Sequence, residues 1–141
     1  MPALIEERFV SLLAGWIDDH RPEGFSESVP IHVARRDDLR SRPCVVVDAT
    51  ESRAVSAMPN TARIRLEVHL FSQVDDTPAE THAQWAMALA ERLADKAALR
   101  QALGSESFAL HDLIERESTT TPDESRGRQT VLAYEAVVSG V

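Results

Sequence analysis

The chain has 141 residues, of which 43% are hydrophobic and 27% charged, a composition that fits one globular domain and excludes a wholly disordered polypeptide. The net charge of -8 at pH 7, with few aromatic residues beside basic clusters, argues against a protein that grips nucleic-acid phosphates. The single cysteine allows no intramolecular disulfide, and no apolar run approaches the roughly 18 residues of a membrane span. We expect a soluble protein of a reducing compartment.

The first third of the chain predicts a helix followed by short strands. An apolar stripe at helical spacing indicates an amphipathic helix over Ala3 to Asp19. Ile31 to Val33 alternates as a short strand would, and Cys44 to Val47 is typical of a strand buried on both faces. That setting favours an inert core role for Cys44 over a nucleophilic one. Asp48 to Asn60 is weakly patterned and is predicted to be a connection.

The next segment, Thr61 to Phe71, is predicted to be a half-buried strand. Its residues alternate between a core face, formed by Ile64, Leu66, Val68 and Leu70, and a wet face, formed by Arg63, Arg65, Glu67 and His69. This wet face is charged enough to be a candidate contact surface.

A second helix is predicted to start at Thr77, with Thr77 as N-cap, Pro78 at the first helical position and Glu80 completing a capping box. Its apolar side carries His82, Trp85, Ala86, Leu89 and Leu93. Asp75, Asp76 and Glu80 are the right chemistry for a divalent cation, but favourable interaction with the helix N-terminus is the simpler interpretation. His82 is interpreted as a structural histidine, with a buried switch as the alternative.

The last part of the chain predicts a short helix and two strands. Asp95 is expected to cap a helix that carries Leu99 and Leu103, with Gly104 in the left-handed conformation at its end. Strands are predicted over Phe108 to Arg116, with a bulge where the alternation breaks, and over Gln129 to Val138. Between them, 117–128 is polar and longer than a tight hairpin needs, which predicts a polar loop or arm.

These elements predict a single α+β domain over residues 1–141. The sheet is expected to be mainly antiparallel and to have about four strands, with the first and second helices on one face. The four strands are Cys44 to Asp48, Thr61 to Phe71, Phe108 to Arg116 and Gln129 to Val138.

No catalytic, cofactor-binding or metal-binding motif emerges from the residues. The five histidines show no His-Glu-x-x-His spacing, and the chain lacks both a Gly-x-Ser-x-Gly elbow and a phosphate-cradling glycine loop. We therefore predict no catalytic residues, no cofactor and no metal site.

The order of the elements resembles the tail-terminator or tail-completion proteins of long-tailed bacteriophages. The resemblance is carried by the leading helix, the strand that ends in Asp75-Asp76-Thr77, the helix from Pro78 to Leu93, the short helix at Leu99 to Leu103, and the two closing strands. It covers most of the chain, best from Thr61 to Val138, and does not align over Arg21 to Asn60. It implies an α+β virion protein without catalytic residues.

The resemblance also implies a place and partners. Such a protein is made in the host cytoplasm and forms a ring, commonly a hexamer, in the tail or neck of the virion. It contacts the tail tube protein and the head-tail connector proteins, DNA passes through without specific binding, and no membrane is involved. The candidate subunit or partner interface comprises Arg63, Arg65, Glu67, Thr119, Thr120, Thr121, Asp123, Glu124, Arg126 and Arg128.

Two other classes of function stay open from the residues alone. One is a small cytoplasmic α+β enzyme or ligand-binding module with a pocket between helix 77–93 and the sheet, in which His69 or His82 acts as acid-base group. The other is a cytoplasmic homodimer with a regulatory or scaffolding role.

Overall fold

The computed structural model describes residues 5–21, 25, 29–33, 43–122 and 127–140, which form three helices and five strands. The helices are α1 (Ile5–Asp19), α2 (Ala79–Ala94) and α3 (Lys96–Ser105). The strands are β1 (Ile31–Val33), β2 (Cys44–Ala54), β3 (Thr61–Gln73), β4 (Phe108–Pro122) and β5 (Gly127–Gly140). The predicted α+β class is confirmed.

The five strands form one sheet in the order β1-β2-β3-β5-β4. Only the β1–β2 pair is parallel; the β2–β3, β3–β5 and β4–β5 pairs are antiparallel. The sheet therefore has one strand more than the four predicted, because Ile31–Val33 adds to the edge beside β2. In the described part of the chain, β1 and β4 form the two edges.

All three helices share one apolar core with a single face of the sheet, here called the inner face. On β3 the predicted core residues Ile64, Leu66, Val68 and Leu70 are buried in this face, and on β5 every second residue from Leu132 to Val138 is buried in it. His69, predicted on the wet face of β3, is instead buried on the opposite side of the sheet. The core joins Phe9, Leu13 and Ile17 of α1, Leu89 and Leu93 of α2, Leu99 and Leu103 of α3, and Ile64, Leu66, Val68, Leu132, Tyr134, Ala136 and Val138 of the sheet. The opposite side of the sheet is here called the outer face.

The strand β2 is longer than predicted. It continues from the buried run through Ala54, with a register irregularity between Ala49 and Glu51, whereas the sequence predicted a connection from Asp48 onward. Residues 51–54 are exposed polar or small residues that carry no local strand signal. They are strand because β3 pairs with them, up to the contact of Ala54 with Ala62.

Two predicted helix termini are wrong and one is confirmed. The N-cap of α2 is Pro78, with no capping side chain, while Thr77 is buried and bonds through its backbone amide to the Gln73 carbonyl. The Asp95 carboxylate accepts from the Ala98 amide at 3.2 Å, as predicted for α3. Gly104 lies inside α3, and the left-handed residue that follows the helix is Ser107, with φ of 60°.

The segment predicted as a polar loop or arm over 117–128 is mostly strand where the structure describes it. β4 continues to Pro122 and β5 begins at Gly127, so Thr119, Thr120 and Thr121 belong to an edge strand. Threonine is β-branched and suits a strand, and the pairing with β5 overrides the polar composition. The predicted irregularity in β4 is confirmed between Leu110 and Asp112, with another between Glu115 and Glu117.

Candidate functional site

The candidate site is a cluster of charged side chains on the outer face, contributed by four adjacent strands. Strand alternation turns Arg63 and Arg65 to this face, and the register places Glu135 of β5 opposite Arg65. We call the set the arginine–glutamate cluster; it comprises Glu51, Arg53, Arg63, Arg65, Arg116, Glu117 and Glu135. These residues line an open concavity of about 660 Å³ together with Tyr134.

Glu135 is the centre of the cluster. Its carboxylate accepts from Nε of Arg116 at 3.1 Å and from the same guanidinium through a second nitrogen, and it lies 3.3 Å from Nη1 of Arg63. The hydrogen bond from Arg116 lowers the pKa of Glu135, and the charges of Arg116, Arg63 and Arg65 act in the same direction, although burial opposes them. Glu135 therefore stays ionised and holds two guanidinium groups in place.

The cluster has more guanidinium groups than its carboxylates neutralise. Arg53 is paired with Glu51 through a hydrogen bond of 2.6 Å, and Arg63 and Arg116 share Glu135. Arg65 is exposed and acts on Glu135 through its charge, but its side chain forms no hydrogen bond or ion pair with any described residue. In a chain of net charge -8, Arg65 is thus a cation available to a carboxylate from a partner.

Glu67 and His69 belong to a second, more covered part of the outer face. His69 is 2% exposed, stacks on Phe71 with ring centroids 5.9 Å apart, and its Nδ1 accepts from the Gln129 amide at 2.9 Å. Its Nε2 lies 3.0 Å from a carboxylate oxygen of Glu67. Glu67, proposed from the sequence as an interface residue, therefore has an internal partner beside it.

The predicted interface residues of the 117–128 segment that the structure describes do not lie on one surface. Thr119 and Thr121 are exposed on the outer face, whereas the Thr120 hydroxyl lies 2.7 Å from that of Thr130 on the inner side. Arg128 donates to the Thr77 carbonyl at 2.6 Å and so ties β5 to the start of α2. Asp123, Glu124 and Arg126 lie outside the described residues.

His82 is the centre of a buried hydrogen-bond network that joins α2 to the sheet. Its Nδ1 lies 2.6 Å from the Ser72 hydroxyl and its Nε2 lies 2.8 Å from the Thr130 hydroxyl, so both ring nitrogens have partners. Burial lowers the pKa of His82, and the charge of Arg128 lowers it further. The three residues are 0–3% exposed, which gives a substrate no route to the ring.

The structure therefore supports the structural interpretation of His82. Ser72 and Thr130 were not singled out in the sequence, although both are polar residues at the end of otherwise apolar inner-face rows. That position was the only signal that they had a buried partner.

The other candidate groups have structural surroundings. Cys44 is 1% exposed and packs with Val46 and Phe71, which agrees with the inert core role. Among the described residues no three histidine, cysteine, aspartate or glutamate side chains are placed to share a metal ion. No helix in the described ranges has the length and apolar character to cross a bilayer.

Comparison with known proteins identifies a shared fold. No protein-family profile matches the sequence, and no curated protein matches it. Among solved structures, the chain is similar to a chain of a structure described as the virion of a native gene transfer agent particle, with a TM-score of 0.60 and 14% sequence identity. The match covers 96% of this chain and 99% of that one, so the two share their fold from end to end.

Proposed function

We propose that this protein is a structural subunit of a phage-like particle, and that it forms a ring at the head-proximal end of the tail tube and joins tail to head. The observation that carries the proposal is the end-to-end likeness to a chain of the gene transfer agent virion, 96% of one chain against 99% of the other. The predicted order of helices and strands, which resembles that of tail-terminator proteins, supports the choice of this role within the particle. The protein acts through assembly, with the tail tube protein and head-tail connector proteins as neighbours.

The charge distribution supports such a role. DNA that passes through a ring should not be held by it, and a chain of net charge -8 repels phosphate. Three arginines of the outer face, Arg53, Arg63 and Arg116, pair with carboxylates, which limits their attraction for DNA. The protein thus lets DNA pass without specific binding.

The arginine–glutamate cluster supplies one contact of the ring. Arg65, exposed and without an ion-pair partner among the described residues, receives a carboxylate from the adjacent subunit. Charged pairs at the rim of an interface set orientation and association rate, and salt screens them. The contact between subunits should therefore weaken as ionic strength rises.

The test compares two variants that change the net charge equally. Arg65→Glu reverses the candidate cation, whereas Lys96→Glu makes the same change in the first turn of α3, on the helical side of the sheet. Sedimentation and negative-stain images of the purified proteins, with and without tail tubes, would show whether rings form. At low salt Arg65→Glu should weaken association about tenfold or more relative to Lys96→Glu, and 0.5 M salt should narrow the difference.

The outcomes separate the site from the function. Equal association of the two variants would remove Arg65 from the interface but leave the ring intact. Absence of any ring or tube-bound form of the unmodified protein would refute the proposed function itself.

A further inference from the structure

The edge strand β4 is protected along only half of its length. Near its start, Arg100 of α3 donates from Nε to the Leu110 carbonyl at 2.9 Å, and the Asp112 carboxylate accepts from the Leu113 amide at 2.9 Å. These side chains occupy backbone groups that turn away from β5. No described residue does the same beyond Ile114.

The register shows which backbone groups of β4 beyond Ile114 point to the open edge of the sheet, away from β5. In an antiparallel ladder, alternate residues turn both backbone polar groups to the same side. Leu110, opposite Val138, turns its backbone amide and carbonyl away from β5, toward the open edge of the sheet. Leu132 and Thr130 follow the same alternation on β5 as Val138, so the β4 residues opposite them also turn their backbone groups to the open edge. These β4 residues are Ser118 and Thr120, whose amides and carbonyls are therefore open at the edge.

We propose that the β4 edge at Ser118, within the open stretch from Ile114 to Thr121, pairs with the three-residue β1 edge of a second copy, so that the sheet continues from one subunit into the next. An exposed edge strand without a cover is a template for another strand. The inference rests on the proposed ring, because a ring needs two different surfaces of the same chain in contact. β4 and β1 are such a pair, at opposite ends of the sheet.

Strand directions make this pairing antiparallel. β1 is parallel to β2, and the antiparallel steps to β3, β5 and β4 leave β4 running opposite to β1. A neighbouring copy that keeps its outer face on the same side therefore presents β1 antiparallel to β4. The continued sheet has one helical side and one outer side.

Side chains on both edge strands support β1 as the strand that pairs with β4. Ile114 on β4 and Val33 on β1 are 41% and 37% exposed, unusual for large apolar side chains, and strand pairing would cover both. The Nε2 atom of His32 is buried and has no hydrogen-bond partner among the described residues. His32 pairs with Val46 and so lies on the outer face, as Glu117 does.

The test uses two substitutions at one exposed residue. Ser118→Pro removes the outward amide and leaves the ladder to β5 unchanged, since proline is tolerated at a strand edge when its nitrogen faces solvent. Ser118→Ala removes the hydroxyl and keeps the amide. Ser118→Pro should weaken association of the full chain about tenfold or more, while Ser118→Ala should match the unmodified protein.

Hydrogen exchange of the assembled form locates the contact. We expect slowed exchange around Ser118, within 114–121, and over 31–33 relative to the dilute protein, and circular dichroism should show that both variants keep the fold. Rings that form equally well with Ser118→Pro, or protection of 114–121 without protection of 31–33, would overturn this inference and leave the ring standing. Copies that never associate, either alone up to the highest soluble concentration or on tail tubes, would overturn both.

Discussion

The buried network around His82 leads to a quantitative prediction for Thr130→Val. The Thr130 side chain is 3% exposed, and its hydroxyl lies 2.8 Å from His82 Nε2 and 2.7 Å from the Thr120 hydroxyl. Valine has nearly the same shape and suits a strand, so packing and backbone change little. The variant leaves His82 Nε2 buried without a partner, whereas the exposed Thr120 can turn to water.

The expected loss of unfolding free energy follows from the one buried group, His82 Nε2, that loses its partner. One buried polar group without a partner costs about 1–3 kcal/mol, and the second bond is replaced by water at little cost. Thr119→Val is the matched control, because Thr119 is an exposed residue of β4 for which the same change should stay within about 0.5 kcal/mol.

Urea unfolding at pH 7.5, followed by tryptophan fluorescence and far-ultraviolet circular dichroism, measures both variants on one scale. A loss for Thr130→Val no larger than that for Thr119→Val would refute the network as a stabilising feature. It would mean that His82 finds water or another partner in the folded protein.

Three further predictions concern titration and packing. Folding lowers the pKa of His82, so the neutral ring contributes its full stability above pH 6.5, the ordinary histidine value, and this contribution is lost as pH falls below 6.5. His82→Gln should therefore reduce the change of unfolding free energy with pH between 7.5 and 5.5. The chain has one tyrosine, and burial raises the pKa of Tyr134 to about 12, so absorbance at high pH should stay unchanged through pH 10 until near 12 or until the protein unfolds. Leu89→Ala should lower the unfolding free energy by about 2–5 kcal/mol because Leu89 is 0% exposed. Met87, on the same helix, is 64% exposed, so Met87→Ala should change the unfolding free energy little. Equal losses of unfolding free energy in the two variants would contradict the assigned core.

Local periodicity determined the elements that carry their own signal. The alternation of β3 identified both its buried face and its charged face, and the apolar stripe of α2 identified Leu89 and Leu93 as core. The run from Cys44 to Val47 was recognisable as a buried strand because no face of it was polar. In each case the spacing of the apolar residues along the chain predicts which side chains are buried.

Tertiary pairing decided the elements whose residues carry no such spacing. Residues 51–54 and Glu117 to Thr121 are exposed and mostly polar, and they are strands because β3 and β5 supply partners for their backbone groups. The same applies to Ser72 and Thr130, whose hydroxyls are 10 and 48 residues from His82 along the chain and meet its ring only in the folded protein. Hydrogen-bond partners that are distant in sequence leave no periodic trace, so the charged cluster and the open edge of β4 emerge only from the register of the sheet.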